Sequence, residues 1–291
     1  MRLKTLVLSA ALAVSFVPAT VAAQGVSIGY PSFIDYNTWD LYGSASVTNS
    51  TPGNGFTYSI LNLTTAGTGG QAGAAFAPST VTLDFDQAFN FNLSFYASPG
   101  SIPAGDGMTF VLTKDDPAAS NLGNAPATGG SNLGYGGSGL SGFAFAIDTF
   151  HFDGEPVSPS IQILFDGSNA PTAYTETGLT SLNDPNYFQW TASLDFTPSG
   201  NNDQTGTLTG RIDQFYGSLS YSVSVVLVDG NLLGMHNVPL YYGFTAANGL
   251  ADDGHHVSSA MAVPEPETYA LMLAGLGLVG WMARCRKQAE A

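Results

Sequence analysis

Cysteine is nearly absent from this chain. Among 291 residues there is one, Cys285, so neither a disulfide framework nor a thiolate zinc site is available. Bases are scarce as well. Seven Lys and Arg stand against 22 Asp and Glu, a formal charge of −15. A chain without a basic footprint cannot neutralise phosphates, which excludes nucleic acid as a partner. Charged residues of either sign make up only 10%, and long Ala/Glu/Lys/Leu/Arg stretches are missing, which excludes a helical bundle. What is plentiful is glycine, with 35 residues, and aromatics, at 12%. With 44% hydrophobic residues there is apolar material for a large core, and a disordered chain is excluded in turn.

Both ends have the composition of processing segments. Arg2 and Lys4 precede an apolar run from Leu6 to Val17, Pro18 breaks it, and Val21-Ala22-Ala23 supplies the small residues that a signal peptidase accepts. Residues 1–23 are therefore predicted to be a signal peptide, with Gln24 beginning the mature chain. At the other end Val263-Pro264-Glu265-Pro266 leads into fifteen uncharged residues, Tyr269 to Ala283, followed by Arg284, Arg286 and Lys287. A full membrane span needs about 20 apolar residues, so 269–283 predicts a short helix, and the basic cluster after it is what a cytoplasmic stop looks like. The order Pro-Glu-Pro, short apolar helix, basic tip resembles the PEP-CTERM sorting tail of Gram-negative bacteria. That resemblance implies an exosortase as partner, transient anchoring in the inner membrane, and onward passage to the cell surface or the exopolysaccharide matrix of a biofilm. A tail that stays in place as a single-pass anchor is the alternative.

Between the ends, over 24–262, the charge is more extreme than in the whole chain. Five of the seven bases lie in the two ends, leaving Lys114 and Arg211; three of the 22 acids, Glu265, Glu267 and Glu290, lie in the tail. Nineteen acids against two bases give −17, and seventeen of the acids are Asp. So much unpaired carboxylate must be screened by solvent or by divalent cations, and calcium, a hard ion that takes oxygen ligands, is the natural candidate.

Alternation of period two dominates this central segment. Phe89, Phe91, Leu93 and Phe95 alternate with Asn90, Asn92 and Ser94, which places an aromatic face inward and an amide face outward on a strand. Val81-Leu83-Phe85, Trp190-Ala192-Leu194-Phe196 and Leu208-Gly210-Ile212 read the same way. Met108 to Leu112, Phe143 to Ile147 and Val223 to Val228 are apolar at almost every position and predict strands covered on both faces. Asp229-Gly230 is a hairpin signal, and His255-His256 falls in what reads as a loop. About a dozen short strands with no internal linker predict one all-β sandwich.

Particular strings then match a family. Leu133 to Phe150, LGYGGSGLSGFAFAIDTF, resembles the L-type lectins, in which a Leu-Gly loop is followed by a strand ending in Phe-Asp-Thr-aromatic; Ile147-Asp148-Thr149-Phe150 takes that place. Trp39 with Gly43-Ser44-Ala45, then Leu61 to Thr64 with Gln71-Ala72-Gly73, look like the family's opening strands. Gly105-Asp106-Gly107 before Met108-Thr109-Phe110 looks like its Asp-Gly strand, and Gly243 to Leu250 like its closing strand and sugar loop. The resemblance implies a concanavalin-like jelly-roll of two antiparallel sheets and a carbohydrate site at one edge of the concave sheet. Asp106 matches the sugar-binding Asp, whose preceding peptide is often cis in the family. Gly129, Gly130 or a near neighbour would supply a backbone N–H, and Asn248, Gly249 and Leu250 match the loop that sets specificity. The chemistry suits a neutral sugar, whose hydroxyls need a carboxylate acceptor and N–H donors.

The family's calcium would be held by Asp148, the carbonyl of Phe150, an Asn two residues later and a further acid. Phe152 stands where that Asn should be, so Asp153 and Glu155 are the substitutes expected. A second, transition-metal site is not expected, because Ala146 occupies the position of its Glu and Ser160 sits near that of its His. Catalysis is not expected either. Hydrolases of this fold mount alternating acids on one strand, whereas Glu155 and Glu176 are the only Glu residues in the segment, and no Gly-x-Ser-x-Gly elbow occurs. The expected function is non-catalytic binding of a glycan or exopolysaccharide, with the homo-oligomerisation the resemblance implies multiplying weak single-site affinity. The alternative is a structural matrix protein that keeps the sandwich and has lost the sugar. The two differ at Asp106, Asp148 and Phe152.

Overall fold

The computed structural model describes residues 27–28, 34–51, 58–101, 103–182, 190–215, 217–228 and 234–258. The predicted signal peptide, the Asp229-Gly230 turn and the predicted helix 269–283 lie outside the described residues. No helix among the described residues is long and apolar enough to cross a membrane.

The strands are, in chain order, β1 (Ser27–Ile28), β2 (Asp40–Gly43), β3 (Ser46–Ser50), β4 (Tyr58–Asn62), β5 (Ala72–Phe76) and β6 (Val81–Thr82). They continue with β7 (Phe89–Pro99), β8 (Gly107–Thr113), β9 (Gly142–Asp148), β10 (Ser160–Phe165) and β11 (Ala173–Glu176). The last five are β12 (Trp190–Pro198), β13 (Gly206–Gln214), β14 (Ser220–Leu227), β15 (Pro239–Ala247) and β16 (Asp253–Ser258). One sheet has the order β14-β13-β12-β7-β16-β4-β3 with β1 alongside β7; the other has β11-β10-β9-β8-β15-β5-β2 with β6 alongside β15. We call them the back and front sheets. Their ladders are antiparallel, apart from the parallel pair β1–β7.

The aromatic alternation does what its period requires. Phe89, Phe91, Leu93 and Phe95 of β7 are buried between the sheets with Trp190, Leu194 and Phe196 of β12, and they meet Phe110, Phe143, Phe145 and Phe244 from the front sheet. Phe89 stacks on Phe196 at 4.9 Å between ring centroids and 14° between planes. Glycine sets the spacing at one point of this core. A Cβ on Gly210 of β13 would fall inside the ring of Phe145 from β9, so ring and backbone are in direct contact across the sandwich.

The front sheet is covered on its outer side too. Ala74, Phe76, Val111, Ala144, Ala146 and Leu164 project outward and are roofed by Leu122, Leu133, Tyr135 and Leu140 of the glycine-rich segment 114–141. This second apolar layer is why β8 and β9 are buried at every position, as their unbroken apolar runs predict. Within that roof the short helix α1 (Ala125–Thr128) ends at the Gly129–Gly130 turn, where Gly130 takes φ +60°, a value glycine adopts without steric cost.

Two expectations are corrected. Val223 to Val228 is not covered twice: β14 is the edge strand of the back sheet, and Val226 is 62% exposed. His255 and His256 are not in a loop but in β16, in the middle of the back sheet, and His255 is buried. Burial depresses both imidazoles, to about 3 for His255 and about 4 for His256.

Candidate carbohydrate site

Asp106 sits at the mouth of β8, where the front sheet meets three loops. Its N–H donates to the Ala247 carbonyl at the end of β15 (3.0 Å), and its own carbonyl accepts from the Thr149 N–H (2.8 Å). The Gly105–Asp106 peptide is cis. Gly105 must lack a side chain, because a Cβ there would come within 2.6 Å of the Ala251 Cβ and 3.3 Å of that of Phe150. These contacts place the 106, 149–150 and 247–251 segments against one another.

The carboxylate of Asp106 is 5% exposed, and its Oδ2 has no hydrogen-bond partner. Burial raises its pKa to about 6, against the Gly249 N–H that holds it down, while the charge of Glu155 pushes it further up. Gly249 lies directly over it. A Cβ on Gly249 would be 3.0 Å from Asp106 Oδ2 and 3.5 Å from the Cα of Gly130. Asp106, Gly130 and Gly249 are thus brought together from chain positions far apart.

The 248–250 loop divides its roles. The Asn248 side chain is fully buried; its Nδ2 donates to the carbonyls of Thr68 (3.2 Å) and Asp253 (3.0 Å), and its N–H donates to the Gln71 carbonyl (2.9 Å). It braces the loop from within and presents no side-chain atom to solvent. The Gly249 carbonyl accepts from the Gly70 N–H at 2.8 Å. Leu250 is fully exposed at the tip.

Asp148, at the end of β9, is 4% exposed. Its Oδ1 accepts from Ser158 Oγ (2.9 Å) and the Phe150 N–H (3.1 Å), and its Oδ2 accepts from Gln162 Nε2 (2.8 Å). Burial dominates its pKa, which rises to about 7, with Glu155 adding to the rise and the three donors opposing it. Glu155 accepts from the Phe152 N–H (3.0 Å) and is hydrogen-bonded by the Ser131 side chain, so it ties the 151–158 loop to the glycine turn. Phe152 is 60% exposed and Asp153 is exposed beside it.

Calcium requires six to eight oxygens around one point. Among the described residues Asp148, Asp153 and Glu155 do not form a group whose ligand atoms converge; the one convergent group of three is Asp84, Asp86 and His236, within 4.8 Å of one another. That group could hold a metal. It lies at the opposite end of β15, since His236 precedes the strand and Asn248 follows it, and neither its acids nor its histidine figured in the expected site. A separation of about 150 positions hides such a contact from local motifs. Ser158, Gln162 and Ser131 were missed as well, although Gln162 shares the face of β10 with Ser160.

The likenesses to known proteins agree with this geometry. Residues 262–287 match the PEP-CTERM protein-sorting motif, and no curated protein matches the chain. Solved structures similar to this one include plant lectins. The lectin from Bauhinia forficata in complex with GalNAc has a TM-score of 0.57 at 20% identity, over 81% of this chain and 96% of that one. Basic winged bean lectin with Tn-antigen gives 0.56 at 20% identity, over 76% and 90%. The exoplasmic/lumenal domain of VIP36 bound to Ca²⁺ and Man3GlcNAc gives 0.51 at 19% identity, over 79% and 89%. The chain therefore has an L-type lectin-like fold, an all-β sandwich of two antiparallel sheets, and carries a PEP-CTERM sorting motif at its C-terminal end.

Proposed function

We propose that this protein is an exported, non-catalytic carbohydrate-binding protein whose sugar is held at Asp106, with the backbone of Gly130 supplying an N–H donor and Gly249 and Leu250 shaping the rim. The observation that carries this reading is the orphan Oδ2 of Asp106. A buried carboxylate oxygen without a donor costs on the order of 1–3 kcal/mol or more, and a pair of sugar hydroxyls is what it lacks. Glycan-bound neighbours of the same fold support the reading by analogy. Exosortase processing at 262–287 would deliver the domain to the cell surface or the exopolysaccharide matrix, where several copies could bind one polymer.

Calcium at Asp148, the Phe150 carbonyl, Asp153 and Glu155 is the cofactor this family resemblance implies. The described arrangement does not fit it, because the Asp148 oxygens are already engaged by three donors and Asp153 stands exposed. The binding step therefore runs through Asp106 and the Gly130 backbone, without a cation. When a sugar docks, its hydroxyls donate to Oδ2, and the carboxylate must be ionised to accept from both.

A pH signature follows from the raised pKa. With the carboxyl titrating near 6, the competent fraction is almost complete at pH 7.5 and about one tenth at pH 5. Affinity for a neutral glycan is thus expected to fall roughly tenfold between those values. A glycan array on the full-length protein identifies the ligand, and titration of the best hit at both pH values measures the ratio. No glycan signal at either pH would leave the structural matrix role, which the exposed Phe152 in place of a polar ligand favours.

A further inference from the structure

We propose that the side-chain amide of Gln162, with the hydroxyl of Ser158, takes the place of the metal ion at Asp148, so that the loop beside the sugar site is built without a cation. The inference concerns the scaffold of the proposed site and does not depend on which glycan binds.

In the β9–β10 ladder Ala146 is paired with Gln162 and Asp148 with Ser160. The outward faces of two neighbouring strands therefore carry Ala146 and Asp148 on one side, Ser160 and Gln162 on the other. Alanine at 146 leaves room over the ladder, and the Gln162 side chain, 2% exposed, lies where it reaches Asp148. Its Nε2 donates to Asp148 Oδ2 at 2.8 Å and to Ser160 Oγ at 2.9 Å.

Both amide hydrogens are used, and their direction is fixed. Turning the amide over would set its oxygen against the carboxylate of Asp148, and two acceptors cannot bond to each other. One N–H of the amide thus points at Asp148 Oδ2 from the side of the front sheet and the other at Ser160 Oγ, while Ser158 Oγ and the Phe150 N–H approach Oδ1. A cation held by this carboxylate would have to displace three donors, of which the buried Gln162 amide would then lose its acceptor. Leaving a buried donor unsatisfied costs the desolvation of that group.

The loop gains its order from the same bonds. Ser158 bonds Asp148 from ten residues further along, closing the 149–157 loop over its own strand end. Glu155 adds the Phe152 N–H and the Ser131 side chain. The loop that carries Phe150 against Gly105 is thereby fixed by protein groups alone.

The test is thermal unfolding of the full-length protein, after chelation and with millimolar Ca²⁺ or Mn²⁺, alongside calorimetric titration with each ion. We expect the midpoint to move by less than about 1 °C between chelator and either ion, and no saturable heat that depends on Asp148. An ion bound at about a hundred times its Kd would instead raise the midpoint by roughly 5–10 °C in a domain of this size. Gln162→Glu places a second carboxylate beside Asp148 and is expected to create an ion-dependent rise that the parent lacks. If that variant does not fold, Gln162→Ala is the companion: it should melt several degrees lower and remain indifferent to chelation. The proposal is overturned by an ion-dependent rise in the parent protein that Asp148→Asn removes. Heat that persists in Asp148→Asn and disappears in His236→Ala would locate uptake at Asp84, Asp86 and His236, leaving the proposal standing. None of these readouts uses a glycan, so failure of sugar binding and failure of this proposal are separable.

Discussion

Asp106→Ala is expected to abolish glycan binding and, at pH 8, to raise the thermal midpoint. Few substitutions are predicted to do both, and the combination distinguishes a functional carboxylate from a structural one. Binding is lost because the variant has no carboxylate acceptor; removing a charged partner from two sugar hydroxyls costs about 3 kcal/mol or more, a hundredfold or greater loss of affinity. Stability moves the other way. The folded-state pKa of Asp106 lies near 6, above its unfolded value, so the folded protein holds this proton more tightly than the unfolded chain does. Stability associated with the group is complete below about pH 4 and is lost as pH rises through 6. Above pH 7 the ionised, buried carboxylate is a net cost on the order of 2–3 kcal/mol, part of which the Gly249 N–H bond returns when the carboxylate is present. Alanine removes the cost, and the gain should be visible at pH 8 and vanish at pH 4. Thermal melts at the two pH values measure it. A variant that still binds glycan moves the site away from Asp106.

The second large effect is expected in the core. Phe145→Ala should lower stability by about 3–5 kcal/mol, a sizeable part of the 5–15 kcal/mol available to a typical domain. The ring is buried in the layer between the sheets and rests on the backbone of Gly210. Gly210→Ala attacks the same contact from the other side. A methyl group there would overlap the ring, and overpacking of this kind costs about 1–3 kcal/mol or more. The two changes should not add. In Gly210→Ala combined with Phe145→Leu, the smaller side chain leaves space for the methyl, so the double variant should be more stable than the sum of the single losses by 1 kcal/mol or more. Urea unfolding, with midpoints shifting at constant slope, measures each member of the cycle. Simple additivity would mean that sheet spacing at this point is set elsewhere.

These two positions also show how much of the molecule the sequence reveals. Gly210 stands in an alternating Leu208-Gly210-Ile212 run, and its inward direction follows from period two; that it faces Phe145 does not, because inter-sheet contacts depend on how two ladders are stacked. The same limit governs the site. Asp106, Gly130 and Gly249 were legible because each lies in a string whose neighbours fix its place in the fold. Gln162 and Ser158 were not, since their bonds to Asp148 depend on the β9–β10 register. Val226 reads as core from composition and is exposed because β14 has no neighbour on its outer side. His255 and His256 read as loop residues because acids and glycine precede them, yet Asp253 and Gly254 are already in the strand, with Gly254 paired to Ser98.

The placement of β15 and β16 bears on how the protein can be made. Each lies inside a sheet, β15 between β8 and β5 and β16 between β7 and β4, yet among the described residues they are the last two strands, at 239–258. A chain emerging amino end first cannot close either sheet until those residues have appeared. Until then β5 and β4 have no partner on the side these strands fill, and the inner aromatic faces have no complete cover. Both layers therefore close only once residue 258 has emerged, and the strands that close them directly precede residues 262–287, which match the sorting motif.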